Sequence, residues 1–225
     1  GLNNCTGNCS GWTSGGRIGN GIAFDGVNDY VDAGNGNSFR NISNLTVSFW
    51  MKNLSAINSN EIIIEKTQSR FGSCGINMGW DFGHLGSTVY FEVCNGTTSS
   101  FTASGTIITL FYTYTWHYIT LVAQQNEKSK IYVDSILKST GAVNFTGTIA
   151  DFSTGLKIGG GGSFFFNGSI DEVRIYNRAL SAEEIAILYN TSLKVTGNTT
   201  FSNNTASPGF IHSNVSGTWT SGIAG

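Results

Sequence analysis

Apolar and polar residues alternate along most of the chain up to about residue 176. The clearest run is residues 45–52, LTVSFWMK, in which the odd positions are apolar and the even positions are polar apart from Trp50. A period of two is typical of a half-buried β-strand. Similar runs, separated by turns rich in Gly, Asn and Ser, lie at 21–24, 30–33, 61–66, 117–123, 130–134, 156–159 and 169–176. Many short strands and a single Pro predict an all-β fold, an antiparallel sandwich.

The segment that begins at Ser181 has the pattern of one short helix. Ser181 and Glu184 have the spacing of a capping box, and the apolar residues at 185–189 supply a partly apolar face over two turns. We expect this helix to pack across one end of the sandwich.

The sequence becomes mostly polar after Asn190, and this change divides the chain into two parts. Residues 1–192 are predicted to form the sandwich, and residues 193–225 form a polar arm with isolated apolar residues and several glycosylation sites. The arm is either a disordered linker or an extended inter-subunit strand that adds to the open edge of its own or a neighbouring sandwich.

Composition narrows the functional classes. Only 12% of the residues are charged and the net charge is −2, so the sequence has no electrostatic footprint for nucleic acid or an anionic membrane. Asn-X-Ser/Thr sites for N-glycosylation are instead dense, which suits a glycoprotein of the cell surface. The candidate sites are Asn4, Asn8, Asn41, Asn44, Asn53, Asn95, Asn144, Asn167, Asn190, Asn198, Asn203 and Asn214.

The four cysteines also favour an oxidising, extracellular location. Residues 75–80 and 89–94 have the pattern of two strands around a Gly-rich turn at 81–86, which would place Cys74 opposite Cys94. A Cys74–Cys94 disulfide is therefore the favoured pairing, and Cys5–Cys9 follows by elimination. A zinc site is disfavoured because the spacing lacks paired Cys-x-x-Cys motifs.

The sequence contains no apolar run of the length that a membrane span requires and no apolar core of a signal peptide. The chain begins with Gly1 rather than Met, as expected of a processed chain or a piece of a longer precursor.

Two segments carry a family resemblance. Residues 16–31 (GRIGNGIAFDGVNDYV) and 166–185 (FNGSIDEVRIYNRALSAEEI), with residues 47–52, 116–118 and 131–134 between them in the same order, resemble the laminin-G-like jelly-roll domains of the concanavalin A-like lectin/glucanase superfamily. The resemblance covers about residues 10–190. It implies two stacked antiparallel sheets whose first and last strands lie close together.

The same resemblance implies a structural calcium site. In similar domains calcium sits where the opening and closing motifs meet, and the match places Asp25 and Asp171 there. Calcium takes six to eight oxygen ligands, so backbone carbonyls, an Asn side chain and water would have to complete the shell. The alternative is that Asp25 caps a turn and Asp171 accepts backbone hydrogen bonds without a metal.

We expect no catalytic site. Glycoside hydrolysis needs two carboxylates that flank a cleft, and the run of alternating acidic residues typical of related glucanases is missing. Glu61 and Glu65 share a face of one predicted strand but would lie about 13 Å apart. We interpret both as solvated strand ends.

Binding remains as the functional class. Trp12, Trp80, Tyr112 and Tyr114 lie in or near predicted loops and are candidate binding aromatics for sugar or protein. We favour a noncatalytic adhesive or structural module outside the cell, the repeating subunit of a self-assembling surface filament or sheath. The alternative is a lectin domain that depends on calcium or is stabilised by it.

Overall fold

A computed structural model describes residues 2–3, 11–36, 41–55, 59–67, 74, 79–104, 107, 109, 113–150 and 155–193, and the structural statements below concern these residues. They form two seven-stranded antiparallel sheets and one helix. The first sheet contains, in spatial order, β1 (Leu2–Asn3), β4 (Val31–Asp32), β13 (Lys157–Ile158), β6 (Asn60–Lys66), β7 (Trp80–Leu85), β8 (Thr88–Cys94) and β9 (Ser99–Ser104). The prediction of an antiparallel two-sheet sandwich is confirmed.

The second sheet joins the beginning and the end of the folded part of the chain. Its strands in spatial order are β12 (Ile136–Asn144), β11 (Lys128–Val133), β10 (His117–Ala123), β5 (Leu45–Asn53), β16 (Asn167–Tyr176), β3 (Gly21–Asp25) and β2 (Trp12–Thr13). Residues 22–25 pair with residues 167–170, so the opening and closing motifs are neighbours as the resemblance implies. A separate hairpin consists of β14 (Gly160–Gly161) and β15 (Phe164–Phe165).

The inner faces of the sheets pack through aromatic and aliphatic side chains. Phe49 of β5 lies against Phe82 of β7 with ring centroids 5.9 Å apart, and Phe24 contacts Phe166 at 6.2 Å. All four side chains are buried. Full burial of a side chain of this size contributes roughly 1.5–3 kcal/mol. Contact between the two sheets therefore provides most of the core.

The polar face of β5 is buried as well, which alternation alone does not predict. The helix α1 (Ala182–Leu193) covers this outer face of the second sheet, where Trp50 contacts Tyr189 at a centroid distance of 5.7 Å. Leu180 and Ile185 pack in the same layer. The helix starts where the capping box predicts, but its expected position at one end of the sandwich is wrong. An apolar helix face buries more area on a broad sheet than on a narrow rim.

The structure contains the Cys74–Cys94 disulfide, although for a different reason from the one that the sequence suggests. Residues 81–85 of the predicted turn belong to strand β7, and the tight turn lies at Gly86 and Ser87. The backbone N–H of Cys94 bonds to the carbonyl oxygen of Gly79. Cys5 and Cys9 lie outside the described residues, so their pairing stays a prediction.

Candidate binding site

An open polar depression lies at the end of the sandwich where β3 and β5 finish and β6 and β16 begin. Its volume is about 230 Å³. Carboxylate, amide and hydroxyl groups and one aromatic ring line it: Asp25, Gly26, Ser55, Ser59, Asn60, Glu61, Ser163, Phe165 and Asn167. Segments far apart in sequence therefore supply a set of hydrogen-bonding groups on one surface.

Glu61 forms the floor of this depression. Its Oε1 accepts hydrogen bonds from the Ser55 hydroxyl and from the backbone N–H of Asn167, the latter at 3.1 Å. Its Oε2 accepts from Asn53 Nδ2 at 3.4 Å and lies 2.8 Å from His84 Nε2. The side chain is only 3% exposed, so these bonds satisfy a buried carboxylate and fix its position.

The rim of the depression is shaped by a tight turn after β3. Asp25 Oδ1 accepts the N–H of Val27 at 2.8 Å, which closes an Asx turn. Gly26 has φ +78°, and a Cβ there would lie 2.8 Å from the Cβ of Asn167. Only glycine allows this close approach without a shift of the backbone. The turn leaves Asp25 exposed beside Asn167, its partner in β16.

The interpretation of Glu61 and Glu65 as solvated residues on one face is wrong. Glu61 pairs with His84, and Glu65 pairs with Asp81. His84 and Asp81 are three positions apart on β7, so their side chains lie on opposite faces of the sheet. A register shift between residues 62 and 64 reverses the direction of the side chains. Both glutamates are buried, at 3% and 2% exposure.

Glu65 instead belongs to a row of buried carboxylates that sequence reasoning missed. Asp81 pairs with Glu65 on one side and with Glu92 on the other, and all three are at most 2% exposed. The Tyr90 hydroxyl donates to Asp81 Oδ2 at 3.0 Å. Burial, followed by the charge of Asp81, raises the pKa of Tyr90. The register of three strands brings these acidic residues together. Each of the three strands contributes one of them, so no single segment of the sequence signals the row.

The two aspartates proposed as calcium ligands do not meet. Asp25 is opposite Asn167, whereas Asp171 lies four residues further along β16, about 13 Å away. The carboxylate of Asp171 accepts the N–H groups of Ile18 and Glu172, each at 2.8 Å, and burial raises its pKa. The two residues therefore do not fit a common calcium ion.

Among the described residues, no cluster of three or more His, Cys, Asp or Glu side chains is arranged to hold a metal ion. Asp25 Oδ1 and both carboxylate oxygens of Asp171 accept backbone N–H groups, as the alternative interpretation expects, and calcium binding by this chain stays a prediction.

The four candidate aromatics are not brought together. Trp80 is 2% exposed and belongs to the core, so its assignment as a binding residue is wrong. Trp12 is 74% exposed on β2, and Tyr114 is 55% exposed in the turn before β10. Four strand spacings, about 19 Å, separate β2 from β10, too far for one shared platform. Tyr112 lies outside the described residues.

The glycosylation candidates differ in exposure. Asn53 is 1% exposed and its amide faces Glu61, so a glycan at this position is incompatible with the fold. Asn41, Asn144 and Asn190 are exposed, and Asn44, Asn95 and Asn167 are half-buried. Asn4, Asn8, Asn198, Asn203 and Asn214 lie outside the described residues. Occupancy of the remaining sites stays a prediction.

The sequence of the chain matches a known protein family. Residues 25–186 match the Laminin_G_3 family, described as the Concanavalin A-like lectin/glucanases superfamily. The chain belongs to this family. A comparison with curated proteins finds no match.

Several solved structures of binding domains are similar to this family member. The botulinum neurotoxin serotype D ligand binding domain in complex with N-acetylneuraminic acid has a TM-score of 0.65 at 19% identity, over 83% of this chain and 45% of that one. The binding domain of Paraclostridial Mosquitocidal Protein 1 has a TM-score of 0.63 at 18% identity, over 82% and 46%.

A third structure, of botulinum neurotoxin type C, has a TM-score of 0.58 at 18% identity, over 76% of this chain and 43% of that one. Cell entry of that neurotoxin depends on interaction with two ganglioside molecules. The chain spans less than half the length of these proteins, and the likeness establishes a shared fold. The helix of the described part is not long and apolar enough to cross a membrane.

Proposed function

We propose that the chain is a noncatalytic, extracellular glycan-binding module whose site is the polar depression beside Asp25 and Asn167. The observation that carries this proposal is the lining, in which amide, carboxylate and hydroxyl groups converge around one half-buried ring, Phe165. A sugar presents hydroxyl groups that both donate and accept, together with apolar C–H faces. Convergent polar groups fix such a ligand, and an aromatic ring covers its apolar side.

The state of Glu61 favours binding over catalysis. A general acid or nucleophile needs a carboxylate oxygen directed at the substrate. Both oxygens of Glu61 are instead engaged by side chains and backbone of the protein. Asp25 is the exposed carboxylate of the depression. The described lining contains no second available carboxylate that could form a hydrolytic pair with it.

The relatives and the cysteine chemistry agree with this proposal. The similar solved structures are binding domains, and one of them is a complex with a sialic acid. The Cys74–Cys94 disulfide is typical of oxidising compartments, and exposed acceptor asparagines suit a secreted or cell-surface chain.

Saturable glycan binding tests the proposal. Glycan-array screening followed by titration should identify a ligand of the whole chain, and Asp25→Asn should weaken its affinity about tenfold because a charge-assisted hydrogen bond to a sugar hydroxyl is lost. The amide retains an acceptor oxygen for the N–H of Val27, so the turn is kept. Glu127→Gln is the matched control, since Glu127 is an exposed carboxylate in the turn between β10 and β11, at the opposite end.

The titration is repeated with calcium and with a chelator. We expect binding without calcium, because Asp25 and Asp171 do not form a common site. Absence of saturable binding to any glycan, or equal affinities of the wild type and Asp25→Asn, would contradict the proposed site. Loss of binding in chelator alone would return calcium to the mechanism.

A self-assembling surface subunit is the second candidate. It depends on residues 193–225, nearly all of which lie outside the described part of the chain. Strand β12, at one end of the second sheet, offers apolar side chains for such assembly because Ile136, Leu137 and Val143 are 46–59% exposed on it. Homopolymer formation stays a prediction.

A further inference from the structure

We propose that Tyr114 forms a second sugar subsite at the same end of the sandwich as the depression, so that the module recognises an oligosaccharide chain rather than a single sugar residue. This inference rests on the proposed function and names its ligand class more narrowly.

Tyr114 is held in a conformation that costs energy. Its φ is +57°, in the left-handed region that bulky residues rarely adopt. Its ring is nevertheless 55% exposed and contributes little to the core. Strained conformations of this kind cluster at ligand-binding sites, where the surrounding structure maintains them.

A chain of hydrogen bonds maintains this shape. The hydroxyl groups of Thr113 and Thr115, on either side of Tyr114, lie 2.6 Å apart, and both are within 3.2 Å of His117 Nε2. His117 Nδ1 lies 2.7 Å from Asp134 Oδ2. Asp134 Oδ1 in turn accepts the backbone N–H of Tyr118 at 2.9 Å. The turn is thus attached to the rigid hairpin of β11 and β12, and the ring is presented in a fixed position.

The turn lies at the same end of the sandwich as the depression. His117 at the start of β10 pairs with Met51, and β5 then continues to Asn53 and to Ser55 in the depression. The strand order is β10, β5, β16, β3. Two strand spacings, about 10 Å, separate β10 from β16, and a third spacing leads to Asp25 on β3. Both surfaces are therefore within reach of one ligand that spans several sugar residues.

The chemistry of the turn suits a neutral polar chain. The imidazole of His117 and the carboxylate of Asp134 are hydrogen-bonded to each other, and the ring of Tyr114 stands between two threonines. An exposed tyrosine offers a flat apolar face and a hydroxyl group, which complement the C–H face and the hydroxyl groups of a pyranose ring. A preorganised ring adds affinity because no conformational entropy of the loop is lost on binding.

The test compares ligands of increasing length, starting from the monosaccharide unit of the best array ligand. Wild-type affinity should rise when the ligand is long enough to reach Tyr114. Tyr114→Gly should lower the affinity for the long ligand at least about fivefold, leave the affinity for the monosaccharide unchanged, and preserve the thermal midpoint, because glycine adopts φ +57° without strain. Tyr114→Phe keeps the ring and should retain most of the affinity.

Asn126→Gly is the matched control. Asn126 is also exposed and has φ +63°, but it lies in the turn at the opposite end of the sandwich. This variant should bind every ligand as the wild type does. Equal affinity of wild type and Tyr114→Gly for the long ligand overturns the second subsite, and so does a loss that is the same for the monosaccharide. Either result leaves the depression intact as a site, whereas failure of the wild type to bind any glycan contradicts the proposed function itself.

Discussion

At the scale of single residues, the most informative groups are tyrosine hydroxyls inside the protein. Tyr90 is fully buried on the outer face of the first sheet, next to Asp81, and Tyr118 is buried beneath the helix. Burial raises the pKa of both phenols above the ordinary value of about 10. A charged phenolate would have to form without water, and beside Asp81 it would also meet a like charge.

These shifts predict how stability depends on alkaline pH. Above pH 10 the unfolded chain loses phenol protons that the native chain retains, so the free energy of unfolding falls as the pH rises. Tyr118→Phe keeps the ring but removes one such phenol proton. The free energy of unfolding of this variant should therefore fall less steeply with rising pH than that of the wild type. Urea unfolding at a series of pH values between 9 and 11 measures both slopes. Parallel curves for wild type and variant would show that Tyr118 titrates equally in both states.

At the scale of elements, the helix depends on a short local motif. The N–H of Ser181 donates to Glu184 Oε2 at 2.9 Å, and the N–H of Glu184 donates back to Ser181 Oγ at 3.2 Å. Arg178 adds an ion pair to Glu184 at 2.8 Å. The motif fixes the first turn of a helix that covers Trp50, so a local change there affects the layer beneath.

We therefore expect Ser181→Ala to destabilise the protein by about 1 kcal/mol, the usual cost of losing a helix cap. Ser181→Asp retains an acceptor for the N–H of Glu184 and should behave as the wild type. Equilibrium unfolding in urea, followed by circular dichroism, gives both values. A Ser181→Ala variant as stable as the wild type would mean that packing on the sheet, rather than the cap, fixes the start of the helix.

Comparison of elements also explains what the sequence can predict. The runs of alternating residues became strands because their apolar side chains must face the core, as in β5 and β16. Strands β9 and β12 were missed, since SSFTAS contains only one large apolar residue, Phe101, and the side chains of β12 are mostly exposed. Their pairing comes from neighbouring strands, not from their own pattern. One register shift in β6 was enough to reverse the expected direction of Glu61 relative to Glu65.

At the scale of the whole molecule, the fold could be predicted but the site could not. The opening and closing motifs contain enough residues to identify the family and to predict that β3 and β16 are neighbours. The depression instead draws on turns near residues 25, 55, 60, 163 and 167, which are brought together only by the complete strand order. No single segment carries a signal for it, because each contributes one or two ordinary polar residues.

The C-terminal segment of the chain has a predicted role in assembly that deletion can test. Residues 194–225 follow the last residue of the helix, Leu193, and include the isolated apolar residues Phe201, Phe210 and Trp219. A polar segment with sparse apolar anchors is suited to add a strand to the edge of a sheet in another copy. If the chain assembles through this segment, as predicted, its mass distribution depends on the sequence of the segment.

Deletion of residues 194–225 should convert large assemblies into monomers, measured by multi-angle light scattering, while the helix and its cap remain complete. A second variant, in which these residues are replaced by a Gly/Ser linker of equal length, separates the apolar anchors from chain length and should also be monomeric. The thermal midpoint of the sandwich should be the same in both variants apart from the contribution of assembly. A full-length chain that is already monomeric, or assemblies that survive the deletion, would contradict assembly through this segment and leave glycan binding as the function that the structure supports.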